Sequence, residues 1–385
     1  MSRKQFLVVL AVLLGLAVAA VAVVLSDNGG WRGGEAQAGR SITPDLKVSD
    51  VAEIGVVGAS GAVHLVRSDR GWVVRERGDF PADLERIRDI LIKLAEVRVA
   101  QAEPLPQSQR ARLQLVEPAD KNADKDAKDA GTVLELKDAK GKVLAHLLLG
   151  KKVYRQTEVA GPAGAPPEAT GRYLIAGTDA DTMLVVPDPF NAAEPRPESW
   201  LRKELLRAER VKTVTSIGSD RRTRWTLTRD KDNMDWRFAG SREQPDLQKA
   251  TDAAGAFGWM DVVDVVVDPQ SAETGLSHAV TVRAETFDNV TYTVRIGNKT
   301  GDNYYVAVSV AGEPPQSRTP ESGETAEEKQ KKDKNFADDK ARLAERLERE
   351  RGLDRWRYVV GKNMIEPLLR DRAQMLPEKK TGKKT

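Results

Sequence analysis

The sequence contains no cysteine among its 385 residues. Structural disulfides, thiolate metal sites, a cysteine nucleophile and lipid attachment at an N-terminal cysteine are therefore all excluded. Histidine is also scarce: His64, His146 and His278 lie far apart in the chain and form no H-E-x-x-H arrangement. We therefore expect no zinc site and no other metal site. No G-x-S-x-G segment is present, so the sequence indicates no serine nucleophile either.

The sequence also has no large excess of positive or negative charge. The 61 lysines and arginines nearly balance the 58 aspartates and glutamates, which gives a net charge of +3. Arg3 and Lys4 supply two of these charges, so the rest of the chain carries a net charge of only +1. Proteins that bind nucleic acid usually have a strongly basic surface. We therefore expect no nucleic-acid partner, and we expect the basic tail, residues 373–385, to be solvated.

One long apolar run is present, at the N-terminus. Residues 6–25 contain no charge over 20 positions, and a helix of this length measures about 30 Å, the thickness of a bilayer's hydrocarbon core. Arg3 and Lys4 precede the run, so the positive-inside rule places the N-terminus in the cytoplasm. The sequence thus predicts a single-pass protein of the inner (cytoplasmic) membrane with the bulk of the chain periplasmic or extracytoplasmic.

A cleaved signal peptide is the alternative for this segment. Residues 36–38, Ala-Gln-Ala, have the small-x-small form of a cleavage site. However, the apolar run is longer than the roughly 7 to 15 residues usual in a signal peptide, and Ala38 lies well beyond its end. The sequence therefore favours an uncleaved transmembrane anchor over residues 1–25, followed by a flexible tether over residues 26–48.

The rest of the chain repeats one order of elements, first over residues 49–208 and then over residues 209–372. In each half, short β-rich runs lead to a tryptophan segment, Gly71-Trp72-Val73-Val74 or Asp235-Trp236-Arg237-Phe238. A proline–aspartate signal then opens a helix with apolar residues at three- and four-residue spacing. These residues match at one constant offset: Leu84, Ile87, Leu91 and Leu94 in the first half, and Leu247, Ala250, Ala254 and Phe257 in the second.

This repeat predicts an α+β fold, in which an N-terminal transmembrane helix is followed by two duplicated units, each an antiparallel sheet with packed helices. Residues 200–206 are predicted to form a helix that corresponds to a helix at residues 363–369. Trp72 and Trp236 are predicted to be large core residues of equivalent strands.

Several segments resemble a known family. The stretches "ITPDLKVSDVAEIGV", "RGWVVRERGDFPADLERIRDILIKLAEVRVAQ", "GKVLAHLLLGKK" and "NYYVAV" are similar to the domain of unknown function 4340 family. The resemblance implies a bacterial envelope protein with one membrane anchor. It also implies partners, namely the permease and substrate-binding-like subunits of gliding-motility-type ABC transporters. No activity is established for the family, so the resemblance transfers no catalytic or cofactor-binding residue.

Two charged insertions interrupt the repeat. In residues 119–131, Asp120, Asn122 and Asp124 fall at positions 1, 3 and 5 of an EF-hand-like loop. Lys125 stands where that loop needs glycine, and Gly131 where it needs glutamate, which favours a solvated loop over a calcium site.

The second insertion covers residues 312–351. Its first part is predicted to be disordered, and a solvated helix is predicted from about Lys334 until Gly352 stops it. Docking of this helix on a partner is the alternative.

The candidate catalytic residues are few. Asp261, Asp264 and Asp268 cluster after the second repeated helix, and paired carboxylates are needed for glycoside hydrolysis. The aspartates bracket strand residues, so we expect exposed charges instead, with Asp261 and Asp264 on opposite faces. Residues 297–301, Gly-Asn-Lys-Thr-Gly, lack the spacing of a phosphate loop and predict a turn.

The sequence therefore predicts no catalytic, cofactor-binding or metal-binding residue. We expect a non-catalytic accessory or substrate-engaging component of an ABC-type transport or motility system. The alternative is a carboxylate-dependent envelope hydrolase that acts on glycan or peptide.

Overall fold

The computed structural model describes residues 37–118, 128–154, 168–177, 181–267, 272–320 and 323–378. The predicted anchor at residues 6–25, residues 119–127 of the first insertion and Asp268 lie outside these ranges. Within the described ranges, no helix has the length and apolar character needed to cross a membrane. The chain divides into two compact units, with the boundary between Trp200 and Leu201.

The first unit is built on one antiparallel sheet of nine strands. The strands are β1 Glu53–Gly58, β2 Gly61–Ser68, β3 Gly71–Val74, β4 Phe80–Pro81, β5 Gln101–Pro104, β6 Thr132–Lys137, β7 Val143–Tyr154, β8 Ala169–Ala176 and β9 Thr182–Val186. Their order across the sheet is β4-β3-β2-β1-β6-β7-β8-β9-β5. A helix, α1 (Leu84–Glu96), connects β4 to β5.

Local sequence explains where α1 begins and which side of it is buried. The Asp83 side chain accepts hydrogen bonds from the backbone N–H groups of Glu85 and Arg86, which caps the first turn. The buried residues of α1 recur at helical spacing: Ile87, Ile90, Leu91 and Leu94. Alternate residues of the central strands are buried too, among them Ile54, Val56, Val63, Leu65, Leu134 and Leu136. We call the sheet face that carries these strand residues the inner face.

The second unit contains another nine-stranded antiparallel sheet. Its strands are β10 Glu204–Leu206, β11 Val211–Ile217, β12 Thr223–Thr228, β13 Arg237–Phe238, β14 Met260–Val265, β15 Val280–Thr286, β16 Val290–Thr300, β17 Asn303–Gly312 and β18 Tyr358–Gly361. The order is β10-β14-β18-β17-β16-β15-β11-β12-β13. Its helices are α2 Leu247–Gly255, α3 Ala326–Arg351 and α4 Lys362–Leu369.

The strands of the two sheets correspond in order. Strands β1 to β3 match β11 to β13, β6 to β8 match β15 to β17, β9 matches β18, and β5 matches β14. The register agrees in detail, because Leu65 pairs with Val74 as Leu227 pairs with Phe238. Trp72 and Trp236 each stand two residues before that pair.

The two tryptophans differ in how deeply they are buried, however. Trp236 is only 5% exposed, and its ring lies 4.7 Å from the guanidinium carbon of Arg229. Trp72 is half-buried. The predicted core role is therefore right for Trp236 and wrong for Trp72.

The predicted α+β class is wrong, because the chain is mainly β. Each unit is dominated by its nine-stranded sheet, and the helices of the described ranges are few. One predicted helix, at residues 200–206, is instead a 3₁₀ turn and a short apolar strand. The 3₁₀ turn at Pro197–Trp200 is followed by β10, which pairs with β14 at the sheet edge.

The charged insertion of the second unit forms a longer helix than predicted. Helix α3 begins at Ala326 instead of near Lys334, because Thr325 and Glu328 form a reciprocal capping box. Most of its side chains are exposed, and Leu347 and Glu350 in the last two turns are buried. Gly352 follows the last helical residue, as predicted.

The unequal burial of the two tryptophans gives a stability prediction. Trp236→Ala should lower the free energy of unfolding by about 3–5 kcal/mol, because it removes a fully packed indole. Trp72→Ala removes a half-buried ring at the corresponding position and should cost about 1–2 kcal/mol. Calorimetric unfolding of both variants beside the wild type measures the difference, and equal losses would contradict the assigned burial.

Candidate functional site

The outer face of the first sheet, opposite the inner face, carries polar groups in register. His64 on β2 pairs with Gly55 on β1, Gly55 pairs with Glu135 on β6, and Glu135 pairs with His146 on β7. Because side chains alternate along a strand, these residues share the face that the core residues Ile54 and Val56 do not use. We call these four positions the histidine–glutamate row.

At one end of the row, Glu76 holds His64 in a fixed orientation. Glu76 comes from the 3₁₀ turn after β3, and one carboxylate oxygen lies 2.6 Å from Nδ1 of His64. The same carboxylate accepts the backbone N–H of His64 at 2.9 Å and 3.1 Å. Burial acts to raise the pKa of Glu76, but these hydrogen bonds outweigh it and lower the pKa below its usual value. In neutral His64 the proton is assigned to Nδ1, which leaves Nε2 as an acceptor.

At the other end, His146 lies between two carboxylates. Its Nδ1 is 3.5 Å from an oxygen of Glu135, and its Nε2 is 3.3 Å from an oxygen of Glu117. Glu135 also pairs with Lys137 at 2.6 Å. Burial favours a higher pKa for Glu135, but the hydrogen bond from Lys137 and its charge lower it overall. The same hydrogen bond raises the pKa of Lys137.

A cavity of about 740 Å³ opens beside His146 and Glu135. Its lining combines apolar side chains with a few polar ones: Leu115, Val116, Val143, Leu148 and Ile175, with Gln107, Arg110, Glu117, Glu135 and His146. Leu115, Leu148 and Ile175 belong to a buried cluster that also includes Leu105, Leu113 and Met183. The volume lies in the range of small-molecule sites, about 300–1,000 Å³. We call this space the outer-face cavity.

Two glycines allow the wall of this cavity to form. A Cβ atom at Gly150 would lie 2.5 Å from the carbonyl oxygen of Leu113, and one at Gly131 would lie 2.5 Å from that of Gln114. Any larger residue would therefore push residues 107–116 off the sheet. The close approach brings Arg110 to the cavity, where its guanidinium lies 3.6 Å from Asp181.

The family model for "Domain of unknown function (DUF4340)" matches residues 72–278, more than half of the chain. The chain belongs to this family. The resemblance found in the sequence is thereby confirmed, and the matched region includes residues of both units. Comparison with curated proteins and with solved structures gave no match. Membership of DUF4340 assigns no activity.

The aspartates considered for hydrolysis have other partners in this DUF4340 protein. The Asp261 carboxylate lies 2.7 Å from the Arg207 guanidinium. Asp264 accepts the backbone N–H of Val265 at 2.8 Å. Asp268 is outside the described residues. Among those residues no group of three or more histidines, aspartates and glutamates is arranged to hold a metal ion.

The turn predicted at residues 297–301 includes only the last of them, because residues 297–300 belong to β16. Strand β16 continues to Thr300, which pairs with Asn303, and the chain reverses through Gly301 and Asp302. Gly301 has a φ of +58°, a left-handed conformation that favours glycine.

Sequence reasoning missed the histidine–glutamate row of this DUF4340 protein. His64 and His146 lie 82 residues apart in the chain, and no local motif connects them. The available signal was the alternation of polar and apolar residues around His64, Glu135 and His146 on strands that hairpins bring together. The register that aligns them is non-local, and the sequence alone did not specify it.

The lowered pKa of Glu76 makes the stability of the first unit pH-dependent. A carboxylate with a lowered pKa in the folded state stabilises the fold above its unfolded value, about 4.5, and this contribution disappears as pH falls through the folded value. Glu76→Gln should therefore reduce the free energy of unfolding at pH 7, and the difference from wild type should shrink below about pH 4.5. Glu85→Gln, a change at a side chain that is 90% exposed, is the control. Urea unfolding across pH tests this, and a difference that stays constant to pH 3 would contradict it.

Proposed function

We propose that this DUF4340 protein is a non-catalytic, ligand-engaging component of an envelope transport or motility system, and that the outer-face cavity binds the ligand. The observation that carries the proposal is the cavity lining, an apolar floor of Leu148 and Ile175 with charged groups around it. Small-molecule sites commonly have this composition, in which apolar contact supplies affinity and a few polar groups fix orientation.

Binding is favoured over catalysis by the surroundings of His146. Both ring nitrogens lie within 3.5 Å of a carboxylate, Nδ1 near Glu135 and Nε2 near Glu117. Neither nitrogen is therefore positioned to take a proton from a substrate or a bound water. The described lining residues also include no hydroxyl, thiol or lysine nucleophile.

The cellular setting is proposed from the sequence. The uncharged run at residues 6–25, behind Arg3 and Lys4, supports a location at the cytoplasmic membrane with both units outside the cytoplasm. The ABC-type partners are proposed by analogy with other DUF4340 proteins, which are often encoded beside permease and substrate-binding-like subunits.

The hydrolase alternative has less support from the geometry. A carboxylate pair that cleaves a glycosidic bond needs one acid and one base or nucleophile free to reach the substrate. Asp261 is paired with Arg207, and Asp264 is bonded to the backbone of its own strand. Asp261→Asn and Asp264→Asn should therefore leave cellular function intact.

Filling the cavity tests the proposal. Val143 lines the cavity and is 45% exposed, so Val143→Trp should fold and occupy the space. Val263, which is 40% exposed on β14 of the second sheet, is a matched control. We expect Val143→Trp to reduce transport or motility in cells at least tenfold and Val263→Trp to have little effect, at equal protein levels.

Two results would contradict this account. Normal function in Val143→Trp cells would exclude the cavity as the working site. Loss of function in Asp261→Asn or Asp264→Asn, with folding intact, would favour the hydrolase.

A further inference from the structure

Gly55 lies at the centre of the histidine–glutamate row, and the backbone conformation there does not require glycine. Its φ lies outside the left-handed region, and it stands inside β1 with a paired strand on each side. Glycine weakens the interior of a strand, because it adds unfolded-state entropy and contributes no side chain to packing. A Cβ atom there would make only ordinary contacts, 3.6 Å and 3.9 Å from the His64 ring and 3.9 Å from the Glu135 carbonyl oxygen.

The second sheet shows that the fold accepts a larger residue at this position. By register, Gly55 corresponds to Thr215, which pairs with Thr226 on one side and Arg283 on the other. Arg283 in turn pairs with Thr293. The row of the second sheet is therefore Thr226, Thr215, Arg283 and Thr293, where the first sheet has His64, Gly55, Glu135 and His146. The same connectivity thus carries a β-branched residue where the first sheet has glycine.

What Gly55 provides is room for the imidazole of His64. Gly55 is buried, and the Cδ2–Nε2 edge of the ring lies over it, so the ring reaches from β2 across β1. Covering a strand glycine with a neighbouring ring is a known packing device and would also explain this arrangement. The bonds to Glu76 add a function beyond cover, because they fix the ring with Nε2 directed away from its own strand as an acceptor.

The Nε2 atom of His64 has no hydrogen-bond partner among the described residues, and the His64 side chain is 30% exposed. Glu135 is the next side chain along the row, and it also lines the outer-face cavity. His64 does not itself line the cavity, but its ring lies over Gly55 on β1, and neighbouring strands are about 4.8 Å apart, so Nε2 is about one strand spacing from β6, which carries Glu135. An elongated ligand that contacts Glu135 in the cavity can therefore extend toward His64.

The charged side chains along the histidine–glutamate row and the rim of the outer-face cavity are mostly negative. Four carboxylates follow the row and the cavity rim, namely Glu53, Glu76, Glu117 and Glu135. Lys137 pairs with Glu135 and lies 3.9 Å from Glu53, and Arg110 pairs with Asp181. With Asp181 there are thus five carboxylates and two cations, Lys137 and Arg110, although the net charge of the whole chain is +3. Such a surface attracts a positively charged group that donates hydrogen bonds.

We propose that the space between His64 Nε2 and Glu135 is a subsite for a protonated amine, and that the ligand of the outer-face cavity is a small amphipathic amine. The apolar body lies on Leu148 and Ile175, and the ammonium group donates to Nε2 of His64 while its charge pairs with Glu135. This inference rests on the proposed function, because it assigns the chemical class of the ligand for the same cavity.

The test uses three probes that carry different terminal groups on the same phenyl-substituted chain of four methylenes: 4-phenylbutylamine, 4-phenylbutanol and 5-phenylvalerate. Each is titrated by calorimetry into the purified full chain, with the same titration into buffer as the blank. The wild type should bind the amine at least tenfold more tightly than the alcohol, and the carboxylate most weakly. This order follows from the negative charge around His64 and Glu135.

Variants test whether the preference for the amine over the alcohol depends on residues of the histidine–glutamate row. Gly55→Thr introduces the residue of the second sheet and should displace the His64 ring, because a Cβ alone already lies 3.6 Å from it. Glu135→Gln removes the charge without adding bulk. Both should reduce the preference for the amine over the alcohol at least fivefold. The control Arg283→Gln, at the position that corresponds to Glu135, should leave the preference unchanged, and melting temperatures establish that each variant folds.

The outcomes separate the two proposals. If none of the probes binds the wild type, the cavity is not a ligand site of this kind and both proposals fail. If amine and alcohol bind equally, or if both Gly55→Thr and Glu135→Gln keep the full preference, the amine subsite is wrong while the cavity stands as a binding site. Loss of preference in Arg283→Gln would also overturn the assignment.

Discussion

The alternation of side chains along an antiparallel strand is the constraint on which this structure depends. In each sheet, one set of alternate residues is committed to the core, as Ile54, Val56 and Leu65 are on the first sheet. The other set faces outward and is free to carry polar chemistry. A slip of one residue would exchange the two faces, so the buried residues also fix the register of the exposed ones. The placement of His64, Glu135 and His146 in one row is a consequence of packing on the opposite side.

Two sheets with corresponding connectivity differ on their outer faces. The first sheet carries histidines and carboxylates beside an apolar cavity, and the second carries threonines and Arg283 at the corresponding positions. The inner faces retain apolar residues in both, such as Leu65 and Leu227, because the core imposes the same requirement on each sheet. The two sheets thus differ at outward-facing positions, where core packing does not restrict the choice of side chain. For this reason we assign binding to the first sheet.

Local signals in the sequence predicted several features correctly. Asp83 caps α1 and Asp246 caps α2 in the same way, each accepting from two backbone N–H groups, and both helices begin where the proline–aspartate signals indicate. Trp236 is a core residue, and Gly352 ends the long helix. These features depend on neighbours within a few residues, so a sequence can specify them.

Features set by distant partners were not predicted correctly. The helix expected at residues 200–206 is a strand, because Glu204 and Leu206 pair with β14 more than 50 residues later. The α+β class failed because each unit is dominated by a nine-stranded sheet, several of whose strands pair across long separations in sequence. The candidate site was missed for the same reason, since only the pairing of β2, β1, β6 and β7 places His64 and His146 in one row.

The central claim, that the outer face of the first sheet is the working surface, is open to one direct measurement. The chain has three histidines, of which His64 and His146 lie in the row and His278 lies exposed in the second unit. Imidazole modification by diethyl pyrocarbonate, quantified by mass spectrometry, compares their reactivity in intact cells and in purified protein. We expect His64 and His146 to react at least threefold more slowly in cells, where the ligand is present, and His278 to react equally in both. Equal reactivity of His64 and His146 in the two preparations, or protection of His278 alone, would contradict the account.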